Sequence, residues 1–522
     1  MRFPNLPRRD RIGQSVQTAF GGLEHTPGAG DGALWDMQNL WSGDAPRLGV
    51  RPKRKKLGTL TAPNGLFNAG RRFTADGTTL YVDGVSAGTL TDSQKVFAAL
   101  GERVLIWPDK KLWSPDGGLV SLEASVTLSC TFTDGTYGGE AAEANTLKAA
   151  DGSFAWSDYF SPGDGVTISG SAEAGNNATL VVREIENDEL RFYENSFTNV
   201  SQAESITVSR TAPDLDWLCV NENRVWGCKG DTIRCSKLGD PFNWNVFDGV
   251  STDAWSWDTG TAGDFTGCVS FLGYPCFFKE RQIFKVYGNK PTNFEPMGAP
   301  DLGVMEGCGR SLATANETLF YLSRVGPMAY SGGVPRPIGE QLGGRFYAGV
   351  GGSSGLKYYL SMKDCDTHAS RLYVYDALRQ LWHIEDGTEA MAFAPGAAGS
   401  VEWLTAGGEL WTTDTGAQGT AEETVSWYAE FADFTMRSPN KKGIGKLLLR
   451  LEPEAGSAVN LLIRYDSTGQ WETVAALTGE RKESRYLPVI PRRCDHFRLK
   501  LTGSGPCILH SLTAETYEGS PN

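Results

Sequence analysis

Five consecutive residues, Gly351-Gly352-Ser353-Ser354-Gly355, spell a G-x-S-x-G string. In a hydrolase this string is a strained strand-to-helix turn that lifts the serine toward an oxyanion hole. Here Lys357-Tyr358-Tyr359-Leu360-Ser361 follows and reads as a second strand, so the segment is expected to be a plain hairpin turn. Glycoside hydrolysis would need two carboxylates about 5–10 Å apart across a cleft, a pairing between distant strands that sequence does not reveal. Asp466-Ser467-Thr468-Gly469-Gln470-Trp471 echoes the S-x-D-x-G-x-x-W box of sialidases but lacks its leading serine and spacing. It is expected to be a turn with a packed tryptophan. With no Walker loop and no H-E-x-x-H, no residue is assigned a catalytic, cofactor-binding or metal role, and the chain is expected not to be an enzyme.

Ten cysteines are scattered without a C-x-x-C pair, and five histidines give no zinc spacing. Cys219, Cys228 and Cys235 are close enough to meet on neighbouring strands, but buried free thiols in a reducing compartment are the expectation. The residues that could make contacts are basic or aromatic. Arg51, Lys53, Arg54, Lys55 and Lys56 form a run readable as a solvated strand edge or arm, or as a contact for an acidic neighbour or DNA phosphate. Trp255 and Trp257 alternate, which puts both rings on one strand face: core, or a contact patch if that face is open. Arg492 and Arg493, with Arg498 and Lys500, lie beside Asp495 and His496, consistent with ion pairs between subunits, a solvated face or an anion site.

Positioning such groups takes a large scaffold. The chain has 522 residues, enough for two to four domains. With 63 Gly, 15 Trp, 17 Tyr and 24 Phe, it is rich in turn formers and in residues that suit a pleated, half-buried surface. That combination indicates an all-β protein. The net charge of -13 argues against gripping nucleic acid, although an acidic wall could let DNA slide past without sticking. Met1–Leu6 lacks an apolar signal core, and no apolar run is long enough to span a membrane, so no membrane anchor is expected.

Residues 1–60 read as an irregular N-terminal arm broken by Pro4, Pro7, Pro27, Pro46 and Pro52, with a short helix expected around Ala33–Leu40. From about residue 61 an aromatic strand followed by a Gly or Asp turn recurs at blade-like spacing: Thr79–Gly84, Arg103–Trp107, Arg224–Gly227, Gln282–Tyr287, Thr318–Ser323, Arg371–Asp376, Gly408–Thr412. The expectation is a six- or seven-bladed β-propeller over 61–122 and 214–420. Residues 123–213 break the repeat with strands of their own and are expected to be a small β-barrel or sandwich inserted into a loop. Residues 421–522 change style again and are expected to form a C-terminal β-sandwich.

Several segments, taken in order, resemble one family. They are Phe20–Leu23; Gly30–Leu40 with Pro46-Arg47-Leu48 and Arg51; Leu238-Gly239-Asp240-Pro241-Phe242-Asn243-Trp244; Phe278–Val286 with Leu319–Ser323 and Gly326; and Pro491–Leu499. Together they are similar to the podovirus tail nozzle and tail-hub proteins, the "packaged DNA stabilization" family of bacteriophages. The 123–213 segment has no counterpart in the nozzle pattern, which leaves a siphovirus tail or tip position equally open. The resemblance implies a virion protein without cofactor, made in the bacterial cytoplasm and assembled with sister subunits, often as a six-fold ring. Adjacent tail or adaptor proteins would be its neighbours, and double-stranded DNA would pass through its lumen without specific binding. Receptor or glycan binding, and less so glycan hydrolysis, are the alternatives.

Overall fold

The computed structural model describes residues 11–518 apart from 27, 32, 137, 195–196, 248–249, 439, 468, 480, 488 and 490–491. Met1–Leu6, Pro7, Pro27, Thr468 and Pro491, on which expectations rested, lie outside the described residues. The described chain is all-β, with only single 3-10 turns as helical structure. It folds as two compact units, one from residues 69–306 and the other from the residues up to 68 together with those from 307 onward.

The first unit is a succession of antiparallel meanders. Arg72–Asp76, Thr79–Val82 and Val85–Thr89 are followed by the four strands Val96–Leu100, Arg103–Trp107, Lys111–Ser114 and Gly118–Ser121. Trp217–Asn221, Arg224–Lys229, Thr232–Cys235 and Trp255–Asp258 form the next meander, and Gly267–Phe271, Tyr274–Lys279, Gln282–Tyr287 and Glu295–Pro300 the one after. Tight turns fix their registers. Asn221 pairs with Arg224 and Phe271 with Tyr274, leaving two-residue loops in which Glu222, Asn223, Leu272 and Gly273 all take positive φ. That backbone matches the right-handed twist of the flanking strands. Alternate residues then face the neighbouring meander, so Trp226, Phe277 and Phe284 meet in one core, and Leu105, Trp107, Val225 and Trp244 in another.

Between the second and third meanders sits a closed six-stranded barrel. Its strands, in spatial order, are Ala124–Thr133, Thr146–Ala149, Glu189–Phe192, Thr179–Glu186, Gly165–Ser169 and Val200–Arg210. All of them fall within residues 123–213. Period-2 alternation divides each strand between inside and outside. Phe132, Trp156, Phe160 and Phe192 fill the interior, while Ser125, Thr127 and Ser129 face out.

The second unit contains further meanders: Ala313–Ala315 through Arg336–Pro337, then Phe346–Ser353, Lys357–Asp364, Ser370–Asp376 and Leu381–Ile384. The last begins with Ala390–Pro395, Val401–Thr405 and Glu409–Thr412. It is completed by Lys55–Thr59, which pairs antiparallel with Glu409–Thr412, and by Thr420–Ala421 on the far side of that strand. Residues from 426 onward form two sheets. One is built on Lys442–Pro453 and Cys507–Glu518, the other on Ser426–Phe431, Ala458–Tyr465 and Phe497–Ser504. Leu447, Leu449, Leu461, Leu499 and Leu501 are their buried residues.

N-terminal strands complete both of these sheets: Arg11–Gln17 and Leu48–Val50 pair with Cys507–Glu518, and Leu34–Gln38 pairs with Ser426–Phe431. The helix expected at Ala33–Leu40 is therefore a correction; this segment is strand. Leu34 and Met37 are both buried although they stand three apart, a spacing that simple strand alternation would put on opposite faces. A register shift between Leu34 and Asp36 accounts for this, because a bulge inserts one residue and turns the next inward side chain by one position.

Candidate contact site

The basic run converges on a cluster of charges in the second unit. Arg51 and Arg54 are 5% and 4% exposed. Arg51 donates from both terminal nitrogens to the Glu422 carboxylate at 2.7 Å each, and from Nε to Asn39 Oδ1 at 2.7 Å. Arg54 donates to Asp386 at 2.5 Å and also to Glu385, and its guanidinium lies 5.0 Å from the centre of the Trp403 ring. Burial alone would lower the pKa of Arg54, but Glu385 and Asp386 reverse that and hold it charged. Burial would likewise raise the Glu422 and Asp386 carboxyls, and the arginines instead hold both below the usual range.

Strand periodicity explains how these groups meet. Lys357 and Tyr359, Asp376, and His383 fall on one face of the Phe346–Ile384 meander, because Lys357 pairs with Asp376 and Val374 with His383. His383 is 3% exposed and neither ring nitrogen has a hydrogen-bond partner. Burial, with Lys357 adding to it, pushes its pKa down to about 3, so the ring is neutral. The Lys357 ammonium sits 4.4 Å above the Trp41 ring and makes no hydrogen bond or ion pair among the described residues. Burial lowers its pKa also. Beside this cluster opens a cavity of about 350 Å³, whose wall includes Trp41, Arg54, Lys357 and Ser400.

The other sequence-derived contact residues are dispersed. Lys53 is exposed, Lys55 is half-buried in the pairing strand, and Lys56 is bound to Glu409 at 2.6 Å. Trp255 and Trp257 do share a face, as alternation requires, but that face packs on the core: Trp255 lies 6.0 Å from Trp226, and Trp257 6.0 Å from Phe284. Arg492 is exposed, pairs with Glu472 at 2.6 Å and covers the Tyr465 ring; Arg493 is exposed on a two-residue strand that pairs with Lys442 and Gly443. Arg498 and Lys500 are taken up by Glu430 and Asp433. The structure thus gathers Arg51 and Arg54 into one internal site and leaves the others apart.

The remaining chemical candidates resolve as follows. Gly351–Ser353 end the strand Phe346–Ser353, and Ser354 and Gly355 lie in the turn into Lys357–Asp364, so strand rather than helix follows the serines. Trp471 lies beneath Arg464 at 5.0 Å. Asp466, Asp495 and His496 come within 4.8 Å of one another, but they bind each other and tie two loops together: the Asp495 amide donates to Asp466 at 2.9 Å, and His496 meets Asp495 at 2.6 Å. Cys219 and Cys235 flank Trp226 across the strands and, with Cys228, are buried free thiols. Burial pushes the Cys235 thiol up to about 12.

In the first unit, Leu238–Trp244 is a latch for the barrel. Gly239 takes positive φ, and the Trp244 indole donates to the Pro241 carbonyl at 2.9 Å. Asn243 accepts from the Gly165 amide and donates to the Gly163 carbonyl at 3.3 Å, while Asn245 donates to the Gly165 carbonyl at 3.0 Å. Arg210, at the end of the barrel, pairs with Asp164, covers the Phe242 ring at 4.8 Å and donates to Leu122.

Sequence reading did not single out Lys357, His383, Glu385 or Glu422. The available signal was Leu381-Trp382-His383-Ile384-Glu385, in which polar residues alternate with large apolar ones and so share one face.

No family model and no curated protein matches the chain. Among solved structures, an exo-beta-1,3-galactanase from Phanerochaete chrysosporium with beta-1,3-galactotriose is 10% identical over 57% of this chain and 94% of that one, at a TM-score of 0.23. A Cry1Da tryptic core variant from Bacillus thuringiensis is 9% identical over 49% and 50%, at 0.16. A structure described as a glycoside hydrolase is 10% identical over 94% and 99%, at 0.18. Scores this low assign this chain neither a fold nor an activity.

Proposed function

We propose that this chain is a non-enzymatic structural component of a bacteriophage tail, a nozzle or hub ring that retains packaged DNA and forms part of the ejection conduit. In this reading the successive meanders are the blades of a seven-bladed β-propeller, with the barrel and the terminal sheets as docking modules. The observation that carries it is the order of parts: repeated four-stranded meanders, one inserted barrel and two terminal sheets. The Gly-Asp-Pro turn of the resemblance is the barrel's latch. The internal pairing of Arg51 and Arg54 fits a body that bears mechanical load, because their charge is spent inside the chain. An acidic surface would let DNA slide through. Sister subunits in a ring and adjacent tail proteins would be the partners.

Antibody labelling of purified virions under the electron microscope tests the assignment. Label on the tail axis supports it. Label on lateral appendages replaces it with receptor or glycan binding, and absence from the virion overturns it.

A further inference from the structure

The cavity beside the arginine cluster has donors without an acceptor among the described residues. Lys357 lines it, with its ammonium 4.4 Å from the centre of the Trp41 ring and no hydrogen bond or ion pair among the described residues, while Glu385 and Asp376 act on it only at longer range. Arg54 is 4% exposed, and its Nε–H, buried at the same wall, has no acceptor although both terminal nitrogens are paired. The Ser400 hydroxyl is buried without a partner, and Ser354 and Thr415 place further hydroxyls on the lining. Leaving several buried donors unused costs stability, so a native site that does so is arranged for acceptors supplied from outside. The volume of about 350 Å³ lies within the range of small-ligand sites.

We propose that this cavity binds an acidic sugar residue, with the carboxylate on Lys357 and the ring hydroxyls on the Ser400 and Thr415 side. A carboxylate fits because Lys357 is the one lining cation without a carboxylate partner among the described residues, whereas Arg51 and Arg54 already have theirs. A polyol frame fits because Ser354, Ser400, Thr413 and Thr415 line the wall with hydroxyls and Asp414 adds an acceptor, while the Glu385 carboxylate is already taken up by Arg54. Trp41 holds the ammonium in place: the ring face under Lys357 is occupied, and its indole N–H is tied to Asp44 at 3.3 Å. This site stands apart from the tail assignment, which virion labelling decides by itself.

Calorimetric titration of the full chain with D-glucuronate, D-glucose, acetate and inorganic phosphate tests it, alongside the Lys357→Met variant and an exposed-site control, Arg345→Met. Saturable glucuronate binding that Lys357→Met weakens by about tenfold or more, and Arg345→Met leaves alone, is the expected result. Thermal melting confirms that Lys357→Met is folded; Lys357→Arg, which keeps the charge, should retain part of the binding. Equal binding of glucose would overturn the carboxylate assignment, and equal binding of acetate or phosphate the sugar. Glucuronate binding that Lys357→Met leaves unchanged, or no saturation by glucuronate, overturns the site.

Discussion

Arg51 and Glu422, separated by 371 positions, meet in a two-pronged pair with both N···O distances at 2.7 Å. The Arg54 amide also donates to the same carboxylate, at 3.1 Å, so Glu422 anchors the segment that leads into the strand Lys55–Thr59. Planar forks of this kind hold geometry as well as charge.

Glu422→Gln should therefore destabilise the second unit by about 1–3 kcal/mol, because it leaves the Arg51 guanidinium buried with weaker partners. The carboxyl is held below its ordinary 4.5 in the folded chain, so its contribution is present above pH 4.5 and is lost as the pH falls through the folded value. In guanidinium unfolding, the gap between parent and variant should be widest near neutrality and should shrink below pH 4.5. A constant gap would mean the pair is not what Glu422 contributes.

His383 makes the opposite test. Its ring is buried and unpartnered, with a pKa near 3 against 6.5 when unfolded. Between those values the unfolded chain takes up a proton that the folded chain does not, so this residue costs up to about 1.4 kcal/mol per pH unit as the pH falls. His383→Leu should flatten the decline in stability between pH 6.5 and 5 while changing little at pH 8. An unchanged slope would show that the ring finds a partner in solution.

The latch predicts a local effect. Asn243→Leu removes the acceptor of the buried Gly165 amide and the donor to Gly163. Hydrogen exchange at Gly165 should quicken, and proteolysis should enter residues 123–213 first, at a cost of about 1–3 kcal/mol. Uniform loosening of the meanders instead would show that the turn holds more than the barrel.

Cys365 is the one cysteine of the ten that is not buried. Under native conditions, N-ethylmaleimide should modify Cys365 before the others, which should react only on unfolding. Peptide mapping by mass spectrometry reads this directly.

Local patterns carried much of the fold. Arg224–Lys229 and Gln282–Tyr287 read as strands because alternation and turn residues are signals within a few positions. Several of the barrel strands, such as Gly165–Ser169, Thr179–Glu186 and Glu189–Phe192, showed in the same way. The segment Leu34–Gln38 was not legible as strand, because its bulge breaks the alternation that marks one and its partner Ser426–Phe431 lies far along the chain. The site was mostly out of reach. Arg51 and Arg54 were visible as charges, but their partners Glu385, Asp386 and Glu422 lie more than 300 positions away, and nothing local marks such a pairing. Trp255 and Trp257 were placed correctly on one face; whether that face was open depended on Trp226 and Phe284 from other strands.

The strand Lys55–Thr59 has a consequence for synthesis. Its partner Glu409 lies 353 positions further along, so at about 5–20 residues per second the ribosome needs roughly 20–70 s to deliver it. Throughout that interval Lys55–Thr59 has an open edge, and its lysines help to keep that edge from pairing with another nascent chain. The sheet can close only once Glu409–Thr412 and Thr420–Ala421 have been made, so no N-terminal fragment that stops short of them should acquire the second unit's fold.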